Sequence, residues 1–181
     1  MFNAPPPIEK PPSYETSIFF DAIPESGMQA FVLAGANYIN NYQTTYNGQP
    51  KTYEHAIELF FATLGEDGKH YFIKTWPKSY SMHELSWYSA LAKAITGELP
   101  EAGSNVEQLV GLPCMLNIRN EDKTSKIGKP YVSSKIDGKP VPLPKGMQSP
   151  DPVKAIEALR QELANQELEN QGSSGDEEVP F

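Results

Sequence analysis

TTYNGQPKTYEHAIELFFATLGEDGKHYFIKTW, residues 44–76, decides the fold class. Asn47-Gly48 supplies the two positive-φ positions of a tight hairpin turn between flanking strands. After it, residues 53–64 alternate, with His55, Ile57, Leu59 and Phe61 on one face and Glu54, Ala56 and Glu58 on the other. Gly65-Glu66-Asp67-Gly68 reads as the next turn, and residues 70–76 return as another strand that Pro77 stops. Upstream, residues 29–39 (QAFVLAGANYI) form a strand whose internal Gly35 marks a bulge or bend. Residues 18–23 (IFFDAI) read as a short first strand or a cap.

Downstream, Ser81-Met82-His83-Glu84 fits a capping box, which predicts a helix from there to about Thr96 with Gly97 as its C-terminal stop. Leu85, Tyr88, Leu91, Ala92 and Ile95 give that helix one apolar face. A short helix is expected at residues 106–110. Strands follow at 113–119 and 131–136, joined by a basic loop, and Pro140, Pro142 and Pro144 mark the exit. Asp151-Pro152 opens a last helix, residues 153–168, with Asp as N-cap and Pro at the first helical position. Three strands, a helix and two strands make a mainly β protein with the order of a five-stranded oligonucleotide-binding (OB) barrel, whose helix lies between strands 3 and 4. Five strands and one helix also suit other small α+β domains. The expected divisions are a disordered Pro-rich arm at 1–13, the barrel at 14–150, a C-terminal helix at 151–170 and a disordered acidic tail at 171–181.

Composition narrows the function. The only cysteine, Cys114, excludes an internal disulfide and a cysteine-based zinc site, and fits a reducing, cytoplasmic compartment. His55, His70 and His83 have no ligand-like spacing, so neither metal nor cofactor is expected. No apolar run is long enough to span a bilayer, and MFNAPPPIEKPPSYE lacks the basic-then-apolar order of a secretory signal, so no membrane partner is expected. The net charge of −8 is unevenly spread: residues 151–181 hold eight acids against Lys154 and Arg160, whereas residues 119–145 hold seven bases against three acids. Such asymmetry points to a locally basic surface beside an acidic tail, although a solvated loop carries the same charges.

Single-stranded nucleic acid presents flat bases and a charged backbone, and its binders pair exposed rings with a basic groove. Tyr42, Tyr46 and Tyr53, with Tyr38, lie around the first hairpin, one lip of such a groove. Lys74, Trp76, Arg119, Lys126, Lys129 and Tyr131 are expected to line one concave strip, with Lys123 and Lys135 in the same basic segment. In this reading Trp76 and Tyr131 stack on bases while Lys74, Arg119, Lys126 and Lys129 contact phosphate. Aromatic residues in strands also serve as core or cross-strand packing. Trp87 fits either a partner contact or a plug at the barrel end. No phosphate-binding glycine loop and no nucleophile with a base partner occurs, so an enzyme is not expected.

The C-terminus, Asp176-Glu177-Glu178-Val179-Pro180-Phe181 behind Gly172-Ser173-Ser174-Gly175, resembles the acidic tip of bacterial single-stranded DNA-binding proteins. The resemblance implies that the Phe181 ring and carboxylate enter an apolar, basic-rimmed pocket on a replication or repair protein (helicase, primase, polymerase or nuclease). The body has no match to the opening strand or tryptophan positions of that family. Residues 33–145 are instead similar to phage-encoded single-stranded DNA-binding proteins, through YNGQPKTYEHAIELFFATL, SMHE, LVGLPCMLNI and PLPKG. This implies sequence-independent coating of single strands in phage replication or recombination, in a host cytoplasm, with homo-oligomerisation left open. The alternative is an OB-like protein-interaction or virion-associated module without DNA binding.

Overall fold

The computed structural model describes residues 18–178, with side chains to residue 169. The expected arm at 1–13 lies outside the described residues. Two compact units are present. One is Phe20–Leu159; the described part of the other is residues 18–19 with the helix from Arg160 onward.

The first unit is an antiparallel sheet of six strands: β1 Gly27–Tyr46, β2 Gln49–Leu64, β3 His70–Lys74, β4 Lys78–Ser79, β5 Pro113–Thr124 and β6 Pro130–Ile136. Helix α1 (Trp87–Thr96) and a 3₁₀ turn (Val106–Leu109) lie between β4 and β5. The hydrogen-bonded order is β3-β2-β1-β5-β6, with β4 pairing beyond β3 along β2. The mainly β reading therefore holds, but the sheet is not the expected closed five-stranded barrel: the short β4 makes a sixth strand, and the helix follows it. Strands β3 and β6 approach within 8 Å between Cα atoms. Among the described residues no ladder joins them, and each keeps an unpaired edge.

Asn47 and Gly48, at φ 52° and 78°, are both left-handed, as a type I′ turn requires, and they set Tyr46 opposite Gln49. The bulge expected at Gly35 is present, the β1–β2 register shifting between Leu33 and Gly35. One extra residue on β1 there increases local twist and bends the strand. Gly35 also admits Leu159, whose Cδ2 would stand 3.2 Å from any added Cβ.

The core lies on the face of β2 that carries Ile57, Leu59 and Phe61. Phe31, Leu33, Cys114, Leu116 and Ile118 join it from β1 and β5, and Tyr88, Leu91 and Ala92 of α1 cover it. Each large side chain withdrawn from water there contributes about 1.5–3 kcal/mol. The opposite face of β2 is also buried, at Ala56, Glu58, Phe60 and Ala62. Phe20 caps it, its ring 6.2 Å from Phe60 and 5.5 Å from Phe72. Met115 of β5 is likewise buried, at an isolated bridge to Val141.

The expected helix start is corrected. Helix α1 opens at Trp87, and Ser86 is its N-cap, accepting from the Ser89 amide at 3.0 Å. Ser81 closes only a local turn with the His83 amide, so Leu85 precedes the helix and is 71% exposed. The Gly97 stop is as expected, at φ 87° with its amide bonded to the Lys93 carbonyl. Trp87 is a plug at the core edge: its ring meets Phe61 at 6.1 Å and lies under Lys78, and its Nε1–H donates to the Gly138 carbonyl.

Helix α2 (Pro152–Glu178) starts at the expected Asp151 cap, whose Oδ1 accepts from the Val153 amide at 2.9 Å. Within the first unit it buries Ala155 and Leu159. It continues past the expected end at Leu168, and its backbone carries on through the Gly172–Gly175 stretch read as a spacer. Each residue added to an existing helix gains a hydrogen bond without a new nucleation cost, so a long well-formed segment can extend into poor helix formers. In the second unit Gln166 exchanges hydrogen bonds with the backbone of Phe19, at 2.9 and 2.6 Å. Among the described residues no helix is long and apolar enough to cross a membrane.

Candidate nucleic-acid interface

Two hairpins extend beyond the core. β1 and β2 pair from Val32/Ala62 to Tyr46/Gln49, while β1 meets β5 only from Gly27 to Val32. The outer part of the first hairpin, from Asn37/Glu58 to its turn, is therefore an arm past one end of the β1–β5 ladder. At the other end β5 and β6 pair from Ile118/Ile136 to Thr124/Pro130, past the last β1 partner.

The arm gathers the three expected tyrosines. Tyr42 and Tyr53 are cross-strand partners with rings stacked at 6.4 Å and 19°. Tyr46 at the tip is 60% exposed. Lys51, not singled out from sequence, joins them, its ammonium 5.0 Å from the Tyr46 ring centroid and 5.4 Å from that of Tyr53. The signal was available: a two-residue turn at Asn47-Gly48 places Lys51 opposite Thr44, diagonal to Tyr46 and two residues from Tyr53 on the same face of β2. Such a cation over a ring contributes about 0.5–1 kcal/mol where exposed.

The second hairpin gathers most of the expected bases. Arg119 opposes Lys135, Glu121 opposes Ser133, and Lys123 opposes Tyr131, so alternate positions put these side chains on one face. Lys126 and Lys129 lie in the exposed turn, closed by the Ser125 amide on the Lys129 carbonyl and the Gly128 amide on the Ser125 carbonyl, both 2.9 Å. Glu121 sits among the bases, accepting from Arg119 at 3.3 Å and Lys135 at 3.2 Å. The Lys135 hydrogen bond, with the surrounding positive charges, holds its carboxyl below the usual glutamate range. Asp137 lies 4.0 Å from Arg119. The strip is thus basic but internally braced.

The single expected strip is not assembled as drawn. Lys74 is withdrawn from it: its ammonium is 2.8 Å from the Glu58 carboxylate, and the two side chains are 15% and 4% exposed. A lysine so held is committed to a buried partner and is corrected from phosphate contact to structural ion pair. Trp76 is 62% exposed just after β3, where Thr75 continues the pairing with Leu59 through bonds of 3.0 and 3.1 Å. The arm and the β5–β6 hairpin lie past opposite ends of the β1–β5 ladder, with Trp76 on neither.

Asp176, Glu177 and Glu178 end helix α2. Their side chains, and Val179, Pro180 and Phe181 entirely, lie outside the described residues, so the expected partner-binding tip has no structural description. Among the described residues, no group of three or more His, Cys, Asp or Glu side chains is placed to hold a metal ion. Cys114 is buried on β5, and burial pushes its thiol up to about 12, far from the thiolate range a nucleophile needs. Compared with known proteins, the chain matches no family model, no curated protein sequence and no solved structure.

Proposed function

We propose that this chain binds single-stranded DNA without base specificity, as a phage-type coating protein of replication or recombination intermediates. The observation that carries this reading is the pairing of rings with bases on two projecting hairpins: Tyr42, Tyr53, Tyr46 and Lys51 on one, Arg119, Lys123, Tyr131 and Lys135 on the other. Stacked tyrosines accept any base because every base has a π-face, and lysines and arginines track the backbone without reading it. The strand order and the approach of β3 to β6 support an OB-type sheet left partly open. In such folds the loop between the first two strands and the loop between the last two flank the bound strand. Those loops correspond here to the arm and the β5–β6 turn.

The acidic C-terminus is proposed to recruit a replication or repair protein, with Phe181 as the anchor and Asp176, Glu177 and Glu178 speeding encounter with a basic rim. Held in the same chain, such a tip raises the partner's local concentration at the DNA. It also carries the charge sign of phosphate and competes with a strand for the lysines.

Titration of the full chain with oligo-dT at several salt concentrations tests the reading. Binding is expected to be tight at low salt and to fall steeply as salt rises, through counterion release. Absence of binding at low salt, with and without the last six residues, would leave the protein-interaction module as the better account.

A further inference from the structure

We infer that the pocket at the root of the β1–β2 arm holds one nucleobase of the bound strand, in contrast to the open stacking along the arm itself. The inference rests on the single-strand reading above. The pocket measures about 390 Å³ and is walled by Tyr38, Asn40, His55, Tyr80, Met82 and Ser104. That is near the small end of the range for ligand sites, about 300–1,000 Å³, and suits a planar heterocycle better than a peptide segment.

Its construction follows from the fold. Tyr38 opposes Ile57, and Asn40 opposes His55. β4 pairs with β2 at Ala56 and Ile57, and the Tyr80 amide then donates to the His55 carbonyl at 2.9 Å, bringing Tyr80 alongside. The Tyr80 ring is fixed on both sides. It packs edge-on to buried Tyr88 at 4.9 Å, and its hydroxyl accepts from the Val106 amide at 2.9 Å. Tyr38 meets Tyr80 at 5.8 Å and donates to Asn105 Oδ1 at 3.3 Å. Two of the walls are thus positioned rings, set before any ligand arrives.

The chemistry of the lining selects the ligand class. Three aromatic rings favour a flat π-system. The Asn40 amide, exposed on the arm, offers a donor and an acceptor, which matches the mixed edge of a base. Among the described residues no lysine or arginine lines the pocket, which disfavours a phosphate as its occupant. The nearest cation described on the arm, Lys51, sits outward on the same strand. Along β2, Lys51, Tyr53 and His55 are alternate residues and share one face. Tyr53 and His55 are thus about 7 Å apart along β2, and a DNA strand lying on Tyr46, Tyr53 and Tyr42 continues toward His55, with its backbone near Lys51 and a base directed into the pocket.

Photocrosslinking of the full chain with an oligo-dT carrying 5-iododeoxyuridine, mapped by mass spectrometry, reads this directly. Adducts on Tyr38, His55 or Tyr80 are expected. His55→Ala, which keeps the backbone acceptor for Tyr80, should weaken oligo-dT binding about tenfold, the loss of about one stacked base, and Asn40→Ala about tenfold through lost hydrogen bonds to the base edge, both with an unchanged melting curve. Tight binding with adducts confined to Tyr42, Tyr46, Tyr53 or Tyr131, and no effect of either variant, would overturn the pocket while leaving single-strand binding intact. Labelling of the pocket by the free iodinated nucleotide as efficiently as by the oligonucleotide would make a small nucleotide the ligand and overturn the strand assignment. No binding at low salt would remove the reading on which the pocket depends.

Discussion

Lys74 shows how one side chain changes role when its partner is known. In sequence it is a base two residues from Trp76; in the fold it is the counter-charge of Glu58. Removing one member of a buried pair strands the other, so Glu58→Ala should cost about 3–5 kcal/mol by chemical denaturation. The double replacement Glu58→Met/Lys74→Met should cost much less, since no charge is left buried. Nothing local betrays such a pair, because Glu58 lies on a different strand and its burial depends on what covers that face. Glu121 works in the opposite sense. Its carboxyl is lowered by the Lys135 hydrogen bond and by Arg119 and Lys123, so its stabilising effect is full above the unfolded carboxylate value and fades as pH falls through the lower folded one. Glu121→Gln should remove that acid-side dependence from the melting curve. It should also release Lys135 and Arg119, giving tighter oligo-dT binding with a steeper salt slope; an unaltered slope would mean those two bases never meet phosphate.

Elements reveal how far periodicity carries. The hairpin turn, the bulge at Gly35 and the Gly97 helix stop were all legible, since each depends on residues within a few positions. The burial of the second face of β2 was not, because Phe20 arrives from far upstream to cover Phe60 and Phe72. Serine misled at helix α1: Ser81 and Ser86 both suit a cap, and β4 takes up Lys78–Ser79 before the chain turns into Ser86. The two hairpins make distinct predictions as elements. Tyr42→Ala and Tyr46→Ala should each weaken oligo-dT binding by about 1–3 kcal/mol with an unchanged melting temperature, since both rings lie on the arm outside the core. Lys126→Glu in the β5–β6 turn should flatten the plot of log affinity against log salt by about one unit. A Tyr42→Ala variant that melts early would show the tyrosine stack to be structural.

At the scale of the whole molecule, charge separates the chain into a nearly neutral body and an acidic end, an arrangement legible from composition alone. The open sheet was not, because barrel closure depends on whether β3 and β6 pair, and neither strand announces its partner in sequence. Deleting residues 176–181 should abolish capture of a replication or repair protein from host lysate, and keep or strengthen oligo-dT affinity. Equal capture by the full chain, the truncation and Phe181→Ala would show that the end is no ligand. The arm described above has a further consequence. Among the described residues its ladder beyond Asn37 is two strands wide, apart from the short β4 contact at Ala56 and Ile57, and a lone two-stranded ribbon in water is marginal. Its outer amides should therefore exchange with deuterium through local opening at far lower free energy than those of Phe31 or Leu59, which wait for global unfolding. A strand laid across Tyr42, Tyr53 and Tyr46 would have to close that ribbon to bind. Slowed exchange confined to residues 42–53 on adding oligo-dT would then report occupancy of the arm amide by amide, without any label on the DNA.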